Sequence, residues 1–151
     1  MKLVDRDTTS YGPNRPDEMV AILDFSGAAL SGADLRRSSL QKTSLSRASL
    51  LRANLSGAFL MDTNLSRANL IVADLSRTFL SEANLREANL SDVNLSGAFL
   101  IDAELSGTDL SGANLIDAFL CQTQLPKNSQ LDPNRDCETL KKRFPWLLDI
   151  P

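Results

Sequence analysis

The residue types that do most enzymatic chemistry are scarce in this 151-residue chain or stand in the wrong company. It contains no histidine at all, which removes the usual general base and the commonest metal ligand. Serine is abundant, but no base stands beside one to activate it as a nucleophile. No phosphate-cradling glycine loop or nucleophile elbow appears in the context those motifs require. Carboxylate pairs such as Asp102 with Glu104 read as solvated charges on an outer face. The two cysteines, Cys121 and Cys137, lack the spacing of a metal site or a disulfide framework. The expectation is a pair of reduced thiols, with a bond between them as the minority reading. Together these features predict a protein that is not an enzyme and needs no cofactor or metal.

A strict repeat holds whatever function remains. Leucine stands at every fifth position from Leu30 to Leu125, and Phe25 fills the same register one step earlier. Five residues advance an α-helix by about 500°, so such leucines would spread around a helix instead of forming a stripe. A flat strand fails as well, because an odd period sends successive leucines to opposite faces. The chain must therefore bend once per unit.

The residue two before each leucine is always small, as in Ala53, Thr63, Ala68 and Ala83. Two residues apart on an extended segment point the same way. Each unit thus aims one small and one large side chain inward and turns a corner with the other three. Those corner residues are mostly Asp, Asn, Ser, Gly, Arg and Lys, which suit turns and solvent.

A second period sets the number of sides. Phe59, Phe79, Phe99 and Phe119 each precede a repeat leucine and are spaced by twenty, or four units of five. Four units per coil place all four on one wall, with Met61 and Ile101 beside them. The expected architecture is an all-β, four-sided solenoid of about five coils. At about 4.8 Å between stacked strands it is roughly 25 Å long.

The units Ala33-Asp34-Leu35, Ala53-Asn54-Leu55, Ala68-Asn69-Leu70, Ala73-Asp74-Leu75, Ala83-Asn84-Leu85, Ala88-Asn89-Leu90 and Ala113-Asn114-Leu115 resemble those of the pentapeptide-repeat family. The resemblance covers about two thirds of the chain. It implies a right-handed quadrilateral β-helix, and it implies no activity, because a fold does not fix a function. The family is widespread in bacteria. Some members resemble duplex DNA in shape and acidity and bind type II topoisomerases such as gyrase.

Three segments follow. Residues 1–22 carry no repeat. Their Asp17–Leu23 stretch reads as a short helix covering the first coil, and the arm as a whole is one candidate to cover the Phe wall. Residues 23–125 form the solenoid. Residues 126–151 are expected to form a helical cap, with Asp132 at the N-cap, Pro133 in the first turn, an end near Arg143 and Pro145 as the stop. Cys137, Leu140, Phe144, Trp146, Leu147 and Leu148 make its apolar set, which can lid the last coil or join a second copy as a homodimer.

Charge is divided along the rod. From 26 to 77 there are seven basic residues and three acids, net +4; from 78 to 125 there are one basic residue and seven acids, net −6. That split argues against a DNA mimic, which needs a steady negative surface, and against direct nucleic-acid binding, which needs a continuous basic stripe. No apolar run approaches the ~20 residues of a membrane span. Residues 1–7 lack the apolar core of a secretory signal, so the expected location is cytoplasmic. The expected role is a non-catalytic protein-interaction module whose contact wall is Phe59, Phe79, Phe99, Phe119, Met61 and Ile101. Gyrase mimicry is the first alternative. A scaffold whose ladder serves only to stack the coils is the second.

Overall fold

A computed structural model describes residues 23–145. The helix expected within 17–23 and the apolar residues Trp146 to Leu148 lie outside the described residues, apart from Leu23. Through 24–124 the chain is a four-walled coil. All seventeen bridges between neighbouring coils are parallel and join residue i to residue i+20, from Asp24↔Ser44 to Glu104↔Gln124. The four rows begin at Asp24, Ala29, Asp34 and Ser39, one for each side of the expected tube. Each wall carries single bridges rather than long strands, because most of every five residues are spent on the corner.

The corners share one geometry. From Phe25 to Leu115 the amide three residues after each central residue donates back to that residue's carbonyl, as in Ala53 N–H to Leu50 O at 2.9 Å; after Leu120 the Thr123 amide donates to Pro133 O instead. The residue two after the centre has positive φ throughout, between 54° and 72°. A reverse turn with a left-handed third residue is the type II pattern, which favours glycine there. Glycine fills that position at Gly27, Gly32, Gly57, Gly97, Gly107 and Gly112, whereas Val72 adopts it at φ 57°, an outlying conformation for a β-branched side chain.

Inside, the leucines stack in columns. Every central leucine from Leu45 to Leu105 is buried, and so is Leu120. The smaller inward partners fill the remaining space. Inward threonines keep their hydroxyls satisfied by donating to leucine carbonyls, as Thr78 does to Leu75 at 2.6 Å and Thr63 to Leu40 at 2.7 Å. No buried side-chain polar atom among the described residues lacks a partner. The lining frays at both mouths. Leu30, Leu35, Leu40, Leu110 and Leu115 are only partly buried, and Leu23 is 54% exposed.

The C-terminal segment departs from expectation. The helix α1 spans Cys137–Arg143, starting later than the Asp132–Pro133 pair suggested. Asp132 instead builds a turn, its Oδ1 accepting from Asn134 N–H at 2.9 Å. The residues that follow are drawn onto the open edge of the last coil. Asp136 Oδ2 accepts from Leu120 N–H at 3.0 Å, and Asn134 Oδ1 accepts from Gln122 N–H at 3.0 Å. The Arg135 guanidinium donates to Ala118 O. One coil earlier the equivalent Leu100 and Asp102 amides donate to the Phe119 and Cys121 carbonyls, and the Ala98 carbonyl accepts from Phe119 N–H. Three side chains therefore stand in for the backbone of a missing sixth coil on the Phe wall. Asp136 is the residue before α1, and its carboxylate, engaged in this way, makes no cap bond to the helix.

Candidate functional site: the phenylalanine wall

The wall that begins at Ser39 carries the aromatic ladder. Phe59, Phe79, Phe99 and Phe119 stack face to face, with centroids 5.0, 5.1 and 4.8 Å apart and planes within 16° of parallel. The coil repeat dictates this spacing, since the bridges place the rings one above another. Each ring lies over its neighbour rather than in a pocket, so the ladder presents its edges outward.

Its two ends differ. Over the later coils α1 crosses the wall. Leu140, wholly buried, packs on Ile101 and Cys121, with Phe99, Phe119, Cys137 and Phe144 around them. Phe144 meets Phe99 edge-on at 6.0 Å and Phe119 at 6.5 Å. Arg143 shares a shallow depression with Ile116 and Asp117 at the opposite corner. The helix thus runs from the corner of Ile101 and Cys121 toward the corner of Ile116 and Asp117. Phe59 is 38% exposed, and Phe79 and Met61 are half-buried.

Two expectations change. Ile101, set beside the ladder as part of an outward strip, is 4% exposed, because Leu140 sits on it. The cysteines expected to be reduced are bonded, Cys121 to Cys137, with Cα atoms 4.8 Å apart. The physical reason is the edge cap. Once Asn134 and Asp136 are fixed on Gln122 and Leu120, Cys137 is delivered to Cys121 at the corner of the wall. What sequence reasoning missed is the trio Asn134, Arg135 and Asp136; the Asp-Pro pair just before them drew attention to a helix start instead. Phe59, Phe79, Phe99 and Phe119 stand in register on one wall, with Met61 and Ile101 in the column beside them.

Charges border the wall. Lys42, Asp62, Glu82 and Asp102 follow the wall at one corner, and Arg37, Arg77 and Asp117 stand at the other, each in the left-handed corner position. Burial pushes the Asp102 carboxyl upward. Around the rest of the tube, Arg67 pairs with Glu87 at 2.8 Å across two coils, where the basic and acidic halves meet. The hydrogen bond from Arg67 holds the Glu87 carboxyl below its usual range. Among the described residues no group of three His, Cys, Asp or Glu side chains is arranged to hold a metal, and no helix is long and apolar enough to cross a membrane.

The profile of pentapeptide repeats matches residues 24–62, 63–100 and 88–125, eight copies in all. The chain belongs to the pentapeptide-repeat family. Pentapeptide-repeat proteins form right-handed quadrilateral β-helices, in keeping with the four rows of bridges. Among solved structures the chain is similar to Rfr23, a pentapeptide-repeat protein of the cyanobacterium Cyanothece 51142. The two are 37% identical over 66% of this chain and 65% of that one, with a TM-score of 0.53. HetL of Nostoc sp. strain PCC 7120, involved in heterocyst differentiation regulation, is 31% identical over 70% of this chain and 63% of its own, with a TM-score of 0.37. A thylakoid-lumen pentapeptide-repeat protein of Arabidopsis thaliana is 30% identical over 80% of this chain and 75% of its own, at 0.38. The matched region is thus less than two thirds of the Rfr23 and HetL chains. No curated protein matches.

Proposed function

We propose that this pentapeptide-repeat protein is a non-catalytic interaction module, a rigid right-handed rod that presents one flat wall to another protein. The observation that carries this reading is the part of the aromatic ladder that no described element covers. Phe59 stands 38% exposed at the end of a stack whose other end is already covered by a helix. Stacked aromatic edges in a row are stronger docking material than scattered apolar side chains. The wall's later coils supply an example, because they bind α1 through Leu140 and Phe144. Gyrase mimicry has less support: net −6 over 78–125 suits it, but net +4 over 26–77 does not. The Cys121–Cys137 bond favours an oxidising setting over the cytoplasm expected from the sequence.

The test is an affinity capture from the source cell with the native chain and with Phe59→Ser/Phe79→Ser. Loss of stacking should cost roughly 0.5–1.5 kcal/mol per ring pair, which a core of buried leucines tolerates. The expected outcome is a variant that stays folded by circular dichroism and no longer retains the partner. A folded variant that retains the same partners rejects the reading. A variant that unfolds assigns the ladder to structural stacking alone.

A further inference from the structure

The one disulfide serves the cover of the wall and not the rod. It joins Cys121, at the last corner of the Phe wall, to Cys137, the first residue of α1. These are the only cysteines in the chain, so no coil is tied to another in this way. The coils hold through their bridges and leucine columns. The hold on α1 is slighter. Its seven residues are too few for a helix to persist alone in water. Leu140 is the one residue of α1 that is buried, and Phe144, just beyond the helix, sets its ring edge-on to Phe99 and Phe119. Just before the helix the chain is anchored, because Asn134 and Asp136 accept from the Gln122 and Leu120 amides. A fixed hinge at Asp136 thus carries a short arm whose lateral tie is the Cys121–Cys137 bond.

We infer that Cys121–Cys137 is a redox latch: reduction by a dithiol releases α1 and opens Ile101, Phe99 and Phe119, while the coils stay folded. Its consequence for binding rests on the reading of this wall as the contact surface; its operation is read without a partner. The bond is approached from one side. Cys121 is 1% exposed, packed with Leu140 and Ile101, whereas Cys137 is half-buried. A thiolate of the reductant therefore attacks Cys137 Sγ, and Cys121 leaves as a thiolate that takes up a proton. The reductant's second thiol loses its proton and attacks the reductant sulfur of the mixed disulfide, and Cys137 leaves and is protonated. Two electrons pass to the cysteine pair, and the dithiol becomes a disulfide. Opening a loop of separation 16 raises the detached population of α1 about a hundredfold through chain entropy. The wall beneath has no need of its cover, since Phe59 and Phe79 stack at 5.0 Å away from α1 and Phe99 and Phe119 at 4.8 Å beneath it. The latch is also reversible. Asn134 and Asp136 keep Cys137 beside Cys121, ready for an oxidant to close the bond again.

The experiment reduces the full native chain with dithiothreitol and follows it by NMR. Amide exchange reports on α1 and the coils, and a soluble paramagnetic probe reports on side-chain access. The expected result is exchange at Leu140 and Phe144 faster by about a hundredfold, with the Ile101 methyls and the Phe99 and Phe119 rings newly broadened by the probe. The Leu65 and Leu85 amides, which donate to the Asn84 and Glu104 carbonyls of the next coil, should keep their protection. Reoxidation should restore the first pattern. A Cys121→Ser/Cys137→Ser chain should show the open pattern with or without dithiothreitol. Three results would overturn the latch. One is an α1 that stays protected, with Ile101 still shielded, after both thiols have been titrated. Another is a loss of protection in the coils together with α1, which makes the bond a staple of the whole fold. The third is a bond that dithiothreitol opens only once the coils unfold. None of these touches the wall reading, which stands or falls with capture by the Phe59→Ser/Phe79→Ser chain.

Discussion

The two ends of the Phe wall are built from the same unit and dressed differently. At Phe59 and Phe79 the rings stack at 5.0 Å with no helix over them among the described residues; at Phe99 and Phe119 they stack at 4.8 Å beneath Leu140 and Phe144. The near-equal spacing shows that the ladder does not depend on its cover. It follows from the bridges and leucine columns behind it. What the cover changes is access: Ile101 is sealed, whereas Met61 in the equivalent position remains half-buried. In a solenoid each coil contacts mainly its neighbours, so the two ends can be perturbed separately.

The largest expected effect comes from making the clad end resemble the bare one. Cys121→Ser/Cys137→Ser opens a covalent loop of sequence separation 16, for which chain entropy predicts a loss of about 3 kcal/mol. A helix of seven residues is too short to persist in water unsupported. The amides of Leu140 and Phe144, which donate to Asp136 and Leu140 carbonyls, should lose hydrogen-exchange protection about a hundredfold. Amides of the bare coils should not change. Undiminished protection in α1 would mean that the Asn134–Asp136 edge cap and Leu140 hold the helix without the bond.

The same contrast explains what the sequence disclosed. The bare end was legible because everything there follows from the period: Leu60 and Leu80 point in, Phe59 and Phe79 line up, and the corner falls at Asp62 and Glu82. The clad end was legible only in part. Phe99, Phe119 and the leucines behind them obey the same rule, but Ile101 is buried by a segment outside the repeat. No period relates Leu140 to Ile101 or Cys137 to Cys121. Those contacts depend on Asn134, Arg135 and Asp136 copying the hydrogen bonds of an absent coil, a role that only the three-dimensional edge reveals. The left-handed corner at Val72 was equally hidden, since most other corners hold polar residues or glycine.

That corner gives a smaller prediction, of opposite sign. Val72 has φ 57° and is 47% exposed, so its backbone is strained while its side chain is not a core residue. Left-handed backbone at a non-glycine residue costs of order 1–3 kcal/mol, and the flexibility of glycine gives back roughly 0.5–1 kcal/mol. Val72→Gly should therefore stabilise the coils around it by about 1 kcal/mol. Urea unfolding followed by hydrogen exchange at Asn69 to Asp74 measures the gain, which should not reach α1. A loss instead of a gain would show that Val72, with Ile71 and Leu51 near it, packs an outer strip that matters more than its backbone.

The smallest effect is expected at the opposite mouth, in acid. Asp34, on the first coil, accepts from Arg36 Nε at 2.8 Å and Nη2 at 2.6 Å. These bonds, with the Arg36 backbone amide, hold its carboxyl at about 2. An unfolded aspartate titrates near 3.9. The folded chain therefore binds fewer protons between these values, so the contribution is complete above about pH 4 and fades as pH falls toward 2. Because the pair is fully exposed, salt and water screen it strongly. The consequence is local fraying of the first coil, where Leu30 and Leu35 are only partly buried, with α1 unaffected. Carbon-13 titration of the Asp34 carboxyl, with amide exchange read at Leu35 and Arg37, checks both points. A midpoint near 4 would mean that the Arg36 contact does not persist in solution, and the first coil should then show no acid fraying beyond that of the clad end.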